Sequence, residues 1–243
     1  MYTLFKKELN GFLNSLIGYI VIVVFLLIIG LFLWVFPLQF NIFDFGYANV
    51  DGLFLLGPFV FLFLIPAITM RSFADEKRSG TLELLMTQPL TDLQVILAKI
   101  FAGIVLVIFS LILTLIYVYT VYQLGLPPGN LDLGSIWGSY IGLILLGGAF
   151  VSIGIFSSSL SDNQIVSFII AVFLSFFMYI GFEFIYTFVI SGKTGLLIQS
   201  LGLNAHYSSM SRGVIDTRDL VYFLSVMAVF ILLTKVKLES RNC

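Results

Sequence analysis

The sequence has few of the residues that carry catalysis, metal binding or disulfide bonds. Its 243 residues include one histidine, His206, and one cysteine, Cys243, which has no partner for an intrachain disulfide bond. With one residue of each type, no Cys/His metal cluster can form. The net charge of −1 gives no electrostatic support for nucleic-acid binding. Disulfide-stabilised, zinc-cluster and nucleic-acid-binding classes are therefore excluded.

Charged residues are also scarce, and apolar residues take their place. Only 10% of the residues are charged, 60% are hydrophobic, and the mean hydropathy is +1.10. A soluble domain has about 25% charged and about 45–50% apolar residues. This composition indicates an integral membrane protein. The first apolar run is uncharged from Leu9 to Phe43, longer than a signal-peptide core, so we expect it to be retained.

Six segments are long and apolar enough to span a membrane. A helix needs roughly 20 apolar residues to cross the hydrocarbon core. The stretches between charges and turn residues give segments 18–36, 53–70, 95–122, 136–157, 164–188 and 220–237. The sequence therefore predicts an all-α protein with six transmembrane helices. Thr91 and Gln94 have the spacing of a capping box, so the third helix should begin near Asp92 and overshoot the bilayer.

Residues 1–16 have the pattern of an amphipathic helix. Apolar residues recur at i, i+4, i+7, i+8 and i+11, and they are Phe5, Leu9, Phe12, Leu13 and Leu16. Lys7, Asn10 and Asn14 fall on the opposite face. This pattern predicts an interfacial helix on the membrane surface. The alternative is a simple extension of the first span.

The basic residues give the predicted chain an orientation. Nine lie on the side of the N-terminus, namely Lys6, Lys7, Arg71, Lys77, Arg78, Lys99, Lys235, Lys237 and Arg241. Three lie on the other side, namely Lys193, Arg212 and Arg218. Because Lys and Arg accumulate on the cytoplasmic side of membrane proteins, both termini and segment 71–91 are predicted to be cytoplasmic. Segment 191–219 is then extracytoplasmic.

Segment 71–91 concentrates charge between two apolar spans. Gly80 and Thr81 predict a break followed by a new helix, with Glu83 favourably placed in its first turn. The apolar residues of this short helix share one face, and they are Leu82, Leu85 and Met86. Pro89 ends it. Two interpretations of segment 71–91 remain open. It is either a solvated loop with the positive charges usual on the cytoplasmic side, or a docking helix whose apolar side chains fill a partner's groove.

The residues from Glu76 to Pro89, followed by Lys99, resemble a signature of ABC-2-type transporter permeases. The stretch "EKRSGTLELLMTQP" fits the pattern E-x-x-x-G-T-x-E-x-L-x-x-x-P, which in that family lies between the second and third membrane helices. The resemblance implies the ABC-2 (type V exporter-like) permease fold as a single domain over residues 1–243. It also implies a coupling helix that contacts a separate ATP-binding subunit. The residues implied in ATPase coupling are Glu76, Gly80, Thr81, Leu82, Glu83, Leu85, Met86 and Pro89.

The same resemblance implies how the complex is assembled. Two permease chains pair, as a homodimer or heterodimer, in the lipid of the bacterial inner membrane. ATP and Mg²⁺ bind to the partner subunit, so this chain is expected to hold no cofactor and to be no enzyme.

Gly192-Lys193-Thr194 imitates the end of a P-loop, but Thr187 stands where that pattern needs a glycine. These residues are therefore not expected to bind a nucleotide.

The stretch from His206 to Phe223 is similar to the region before the last helix in the GldF family of gliding-motility permeases. Gly213, Asp216, Arg218 and Asp219 carry that likeness. It implies a place in a gliding-motility complex, with room for an accessory protein that has a large extracytoplasmic domain. Permeases for nitrous-oxide-reductase maturation are the alternative. Read physically, Gly213 suits a turn, and Asp216 or Asp219 caps the last span.

Glu183 is the one carboxylate inside an apolar run, "FFMYIGFEFIYTF". An ionisable residue within a membrane is a functional candidate by default. Two interpretations remain open: it lies near the outer surface, where it reaches the lipid headgroups or pairs with Arg212 or Arg218, or it takes part in a transport path. A membrane-embedded enzyme would need more such residues, converging within the spans. An ATPase-independent channel is a further alternative, and it would have no use for the segment from Thr81 to Pro89.

Gly138 and Gly142 have the GxxxG spacing that lets helices approach closely. The contact can lie within the chain or between subunits, and packing within the chain is the more common case.

Overall fold

The computed structural model of the protein describes residues 1–44, 48–86, 89–188 and 192–240, and within these ranges it is helical with no strand. The helices in chain order are α1 (Tyr2–Leu13), α2 (Leu16–Trp34), α3 (Asp51–Thr69), α4 (Arg71–Arg78), α5 (Thr81–Met86), α6 (Asp92–Leu124), α7 (Leu133–Leu160), α8 (Gln164–Phe176), α9 (Phe182–Phe188), α10 (Gly192–Gln199), α11 (Leu203–Met210) and α12 (Thr217–Glu239). A π-helical segment, Phe177–Gly181, joins α8 to α9.

Five helical stretches are by themselves long and apolar enough to cross a membrane. They are Asp51–Arg78, Asp92–Leu124, Leu133–Leu160, Gln164–Phe188 and Thr217–Glu239. A sixth is obtained when Tyr2–Leu13 and Gly18–Trp34, which meet at 61°, are counted as one bent span. The predicted all-α membrane fold is confirmed, with five to six spans in the described ranges.

Helix α7 forms the centre of the bundle. Of its most apolar window, 78% is buried, and it packs against α3, α6, α8, α11 and α12. Glycines allow this close approach. A Cβ atom on Gly147 would lie 2.7 Å from Val107 Cγ1, and one on Gly154 would lie 2.0 Å from Thr69 Oγ1. Small residues at helix crossings are a general route to tight packing in membranes.

Local polar signals set where several helices begin. The Thr91–Gln94 capping box starts α6, as predicted, and α6 runs for 33 residues, about 50 Å at 1.5 Å per residue. Asn163 caps α8 by accepting from Ile165 N at 2.9 Å. These side chains satisfy N–H groups that have no acceptor within their own helix.

Helix α1 lies against the bundle, and the face that it turns inward carries both apolar residues and the acidic residue Glu8. Leu4 is buried, and Phe5 packs against the core. Lys7 and Asn10 are exposed, as the sequence predicts, whereas Glu8 lies on the inner face. An amphipathic helix is thus confirmed over Tyr2–Leu13, and its position on a membrane surface stays a prediction. The prediction is wrong at Leu16, which is exposed and begins α2, because Ser15 caps the start of that helix.

The bundle has two ends of different character. We call the end that holds α1, α4 and α5, with the start of α6 and the α7–α8 turn, the motif end. The opposite end holds α10 and α11 with the starts of α3, α7 and α12, and we call it the loop end. Each end carries a cluster of polar side chains.

Candidate functional site

A buried lysine organises the motif end. Lys99, on α6, is 2% exposed, and its Nζ donates to Glu8 Oε1 at 3.0 Å. The same atom donates to Glu76 Oε1 at 2.8 Å and to Ser72 O at 2.8 Å. All three N–H donors of the ammonium group are therefore satisfied, and the ring of Phe73 lies 5.0 Å from Nζ. A charge this deeply buried is tolerated because it is paired and hydrogen-bonded.

Two serines of α7 hold α4, Ser158 at its first turn and Ser159 near its end. Ser158 Oγ accepts from Phe73 N at 2.9 Å and from Ala74 N at 3.1 Å. The same hydroxyl donates to Met70 O at 2.9 Å, across the break between α3 and α4. The backbone oxygen of Ser159 accepts a bond from Lys77 Nζ. The first turn of α4 thus finds on α7 the acceptors that its own helix does not supply.

Helix α8 holds α4 from a further side. Gln164 Nε2, at the start of α8, donates to Asp75 Oδ1. Together with Lys99, Glu8 and the α7 serines, this bond ties α4 to α1, α6, α7 and α8. A displacement of α4 would therefore disturb polar contacts on four other helices.

Gly80 ends α4 as the sequence predicts. Its φ angle is +69°, in the left-handed region that residues with a Cβ adopt at a cost, and its N–H donates to Lys77 O at 3.2 Å. The chain turns here, and the Ser79 and Thr81 hydroxyls lie 2.8 Å apart. The new helix, α5, begins at Thr81 with Glu83 in its first turn.

The apolar face of α5 is directed into the protein. Leu82 is 2% exposed and belongs to the hydrophobic core, and Leu85 packs against that core. The prediction that this face would fill a partner's groove is wrong for Leu82, because the Gly80 turn folds α5 back onto the bundle. The predicted role of the Met86 side chain lies outside the described part of the structure.

The outward side of α5 is polar. Thr81, Glu83 and Pro89 are exposed, and Glu76 is instead held by Lys99. Beside α5 lies a groove of about 390 Å³, which we call the α5 groove. It is lined by Lys77, Gly80, Leu82, Glu83, Leu160, Ser161 and Asp162. The α7–α8 turn thus forms the second wall of this groove.

At the loop end, the residues before the last span have structural roles. Gly213 has a φ of +84°, and Asp216 caps α12 by accepting from Arg218 N at 3.0 Å. The turn and the cap are thus confirmed at Gly213 and Asp216. Asp219 is not a cap, since its Oδ1 lies 2.6 Å from His206 Nδ1.

His206 links three parts of the loop end. Its Nε2 lies 2.9 Å from Ser200 O, and its ring stacks on Tyr222 with centroids 3.9 Å apart. The Tyr222 hydroxyl donates to Leu201 O at 2.6 Å. These bonds fasten the α10–α11 turn and α11 to α12. The contacts of His206 in the described residues are therefore those of a structural side chain.

Glu183 pairs with an amide and not with an arginine. Asn204 Nδ2 donates to Glu183 Oε2 at 2.7 Å. Arg212 Nε donates to Ser208 O at 3.0 Å, and Arg218 lies at the start of α12. The predicted pairing of Glu183 with either arginine is wrong within the described ranges, because α11 places Asn204 next to the carboxylate.

A cavity of about 680 Å³ opens beside Glu183, and we call it the loop-end cavity. It lies between α3, the π-helical segment with α9, the start of α7, and α11. Its lining residues are Asp51, Phe54, Leu55, Phe59, Ser135, Tyr179, Ile180, Glu183, Asn204, Tyr207, Ser208, Ser211 and Arg212. The Tyr207 hydroxyl donates to Phe54 O at 2.6 Å, and burial raises the pKa of this phenol well above its ordinary value.

Gly138 and Gly142 set the depth at which α11 packs. A Cβ on Gly138 would lie 2.9 Å from Gly213 Cα and 2.9 Å from Met210 O. One on Gly142 would lie 3.2 Å from Met210 Cβ. The GxxxG spacing therefore serves contacts within the chain.

Comparison with known proteins identifies the family. A family model described as "ABC-2 family transporter protein" matches residues 44–201, which is more than half of the 243 residues. The chain therefore belongs to the ABC-2 transporter family, and it is a multi-pass transmembrane permease of the non-catalytic kind. No curated protein matches it. The matched range contains the motif from Glu76 to Pro89, and it ends before Gly213.

The most strongly connected residues escaped sequence reasoning. The sequence pattern assigns no role to Glu8, and Lys99 enters only as a residue that follows the motif and as one of the basic residues that set the orientation. A signal existed: Lys99 is the one charge in a long apolar run, where an unpaired ammonium is costly. The partner of His206 had no such signal, because Asp219 also fits the pattern of a helix start.

Proposed function

We propose that this chain is the permease subunit of an ATP-driven ABC-2 transporter and that a separate ATP-binding subunit docks on the outward side of α5. The observation that carries the proposal is the contrast within the motif. Thr81 and Glu83 are exposed, whereas Leu82 and Glu76 are fixed inside the chain. A partner that binds the exposed side of α5 would act on a helix whose opposite side packs against the hydrophobic core.

The contacts of α4 supply a route for the motion. A push on α5 reaches α4 through the Gly80 turn, and α4 bonds to α6 through Lys99 and to α7 through Ser158. Gln164 extends the route to α8. Hydrogen-bond networks between packed helices can carry coupling between distant sites, and these bonds form such a network.

The α5 groove supports docking in a second way. Its walls carry Lys77, Glu83 and Asp162, so both signs of charge border a recess of about 390 Å³. Charges arranged around an interface orient a partner and give specificity more than affinity. We infer that a protruding element of the ATP-binding subunit enters this recess.

We further infer that the motif end is cytoplasmic. The excess of basic residues on this side follows the usual distribution of Lys and Arg in membrane proteins. ATP and Mg²⁺ would then bind the partner on the side where ATP is available. The complex would contain two permease chains in a bacterial inner membrane, driving transport or transmitting force across it.

Within this class, the likeness at Gly213, Asp216, Arg218 and Asp219 favours a gliding-motility complex with a large extracytoplasmic accessory protein. A permease for nitrous-oxide-reductase maturation is the alternative. Genes for copper-enzyme maturation beside this one would favour that alternative, whereas a gene for a large exported protein would favour gliding.

The docking proposal is tested by reversing the exposed charge on α5. We expect Glu83→Lys to lower the yield of ATP-binding subunit that copurifies from native membranes, because it places a cation where the partner meets a carboxylate. Glu239→Lys is the matched control, since Glu239 is also exposed and lies at the end of α12. Its copurification should equal that of the unmodified chain.

Two outcomes contradict the proposal. Equal recovery of the ATP-binding subunit with Glu83→Lys and with Glu239→Lys would place the docking surface elsewhere. Failure of the unmodified chain to bring down any ATP-binding subunit would favour the ATPase-independent channel.

A further inference from the structure

The loop-end cavity has an aromatic floor and an apolar side wall. Phe54, Tyr179 and Tyr207 are each 4% exposed and form the floor. Leu55 and Phe59, on the outer face of the α3 span, are exposed and form one wall. Exposed apolar residues of a membrane span lie against lipid, so a hydrocarbon chain can reach the cavity from the bilayer.

Four hydroxyl groups of the cavity lining already donate their protons to backbone oxygens within the chain. Ser135 Oγ donates to Ser211 O at 3.2 Å, Ser208 Oγ to Ala205 O at 3.0 Å, and Ser211 Oγ to Ser208 O at 3.1 Å. The Tyr207 hydroxyl donates to Phe54 O. A hydroxyl has one proton and two lone pairs, so each of these groups can offer only lone pairs to a ligand.

The charged groups at the cavity also favour a ligand that donates hydrogen bonds. Asp51 and Glu183 are carboxylates, and Arg212 is the cation among the described lining residues, which gives a net charge of −1. Asn204 donates to Glu183 Oε2 at 2.7 Å and fixes the direction of that carboxylate. The cavity is therefore rich in acceptors and negative overall.

Tyr179 adds a further hydroxyl group to the cavity lining. Its side chain is 4% exposed, it lines the cavity, and its hydroxyl has no hydrogen bond to any residue that the structure describes. The π-helical segment, which shifts the register of the helix between α8 and α9, is the element that carries it. Single-turn π-segments recur at functional sites. A ligand in the cavity would complete this site.

We propose that the loop-end cavity binds an amphiphile whose headgroup is a protonated amine. An ammonium group has donors and no acceptors, which complements the carboxylates and the serine lone pairs. Its hydrocarbon chain would lie along Leu55 and Phe59. An anionic headgroup would meet Asp51 and Glu183 as like charges, and a neutral alcohol would forgo their attraction. Binding here does not depend on an ATP-binding subunit.

The test measures binding to the permease alone. The chain is placed in nanodiscs of phosphatidylcholine at neutral pH and titrated with dodecylamine, with empty nanodiscs subtracted. Dodecanol has the same chain without the charge, and butylamine has the same headgroup without the long chain. We expect dodecylamine binding to be saturable. Its Kd should be at least about tenfold lower than the Kd of either comparison compound.

Two variants identify the carboxylates. Glu183→Gln keeps the shape of the side chain and removes its charge, and Asp51→Asn does the same at the other acid. We expect each to weaken dodecylamine binding by about tenfold. Glu239→Gln at the motif end is the control and should bind as the unmodified chain does. If Glu183→Gln fails to fold, Asp51→Asn still decides the outcome.

The proposal is overturned by either of two results. Dodecanol or butylamine binding as tightly as dodecylamine would show that the amine or the chain is not recognised. Unchanged dodecylamine binding in both acid variants would place the ligand outside this cavity. Since the assay contains no ATP-binding subunit, neither result bears on docking at Glu83, which copurification tests separately.

Discussion

Two charged side chains, Lys99 at the motif end and Glu183 at the loop end, have opposite environments. At the motif end, Lys99 is 2% exposed, and its donors are all taken by Glu8, Glu76 and a backbone oxygen. At the loop end, Glu183 is exposed at an open cavity and has an amide as its hydrogen-bond partner. Charges that are fully paired inside the chain fix helices in place, whereas charges at an open cavity keep capacity for a ligand.

The sharpest way to break this contrast is to remove Lys99. Lys99→Met keeps most of the volume but leaves Glu8 and Glu76 facing each other without a cation. Removing one partner of a buried ion pair costs about 3–5 kcal/mol. We expect a large fall in the apparent melting temperature of the purified protein in detergent and a lower yield of folded chain.

Lys6→Met is the matched control, because Lys6 lies on the exposed face of α1. It should melt close to the unmodified protein. Adding Glu8→Gln and Glu76→Gln to Lys99→Met should restore part of the lost stability, since the uncompensated charges are gone. Equal melting of Lys99→Met and Lys6→Met would contradict the role assigned to the buried lysine.

A smaller effect is expected at the loop end from Gly138→Ala. The new methyl group would meet backbone atoms of Met210 and Gly213 at 2.9 Å, so α11 must shift. Overpacking of this kind costs about 1–3 kcal/mol. The melting temperature should fall by less than with Lys99→Met, and dodecylamine binding should weaken because α11 lines the cavity.

Gly134→Ala, one turn earlier on α7, is its control. A Cβ there would have its nearest contact at 3.4 Å, with the Asp132 side chain, which is ordinary packing. This variant should leave both melting and binding near their original values. If Gly138→Ala behaves like Gly134→Ala, then close packing of α11 on α7 is not what shapes the cavity.

Local signals in the sequence were sufficient for much of the fold. The fifth span was predicted over residues 164–188, and the helical stretch observed is Gln164–Phe188. The capping box at Thr91, the break at Gly80 and the cap at Asp216 were also predicted correctly. The two caps depend on side chains that bond to their own neighbours, the break depends on the left-handed conformation that glycine adopts, and the span depends on a continuous apolar run. Each is a local property of the sequence.

Contacts between distant parts of the chain were not predictable in this way. Periodicity showed that Leu82 lies on the apolar face of a short helix, but not that the protein itself covers that face. Lys99 and Glu8 are 91 positions apart, and no spacing rule joins them. The amide partner of Glu183 likewise depends on where α11 packs. Long-range packing decided each of these features.

The central claim is that the motif end faces the compartment that supplies ATP, and labelling of a single cysteine tests it directly. Thr81→Cys and, separately, Val214→Cys are made in a Cys243→Ser background, since both positions are exposed. Intact spheroplasts are then treated with a membrane-impermeant maleimide. We expect Val214→Cys to react at once and Thr81→Cys to react only after the membrane is opened. Labelling of Thr81→Cys in intact spheroplasts, with Val214→Cys protected, would contradict the account.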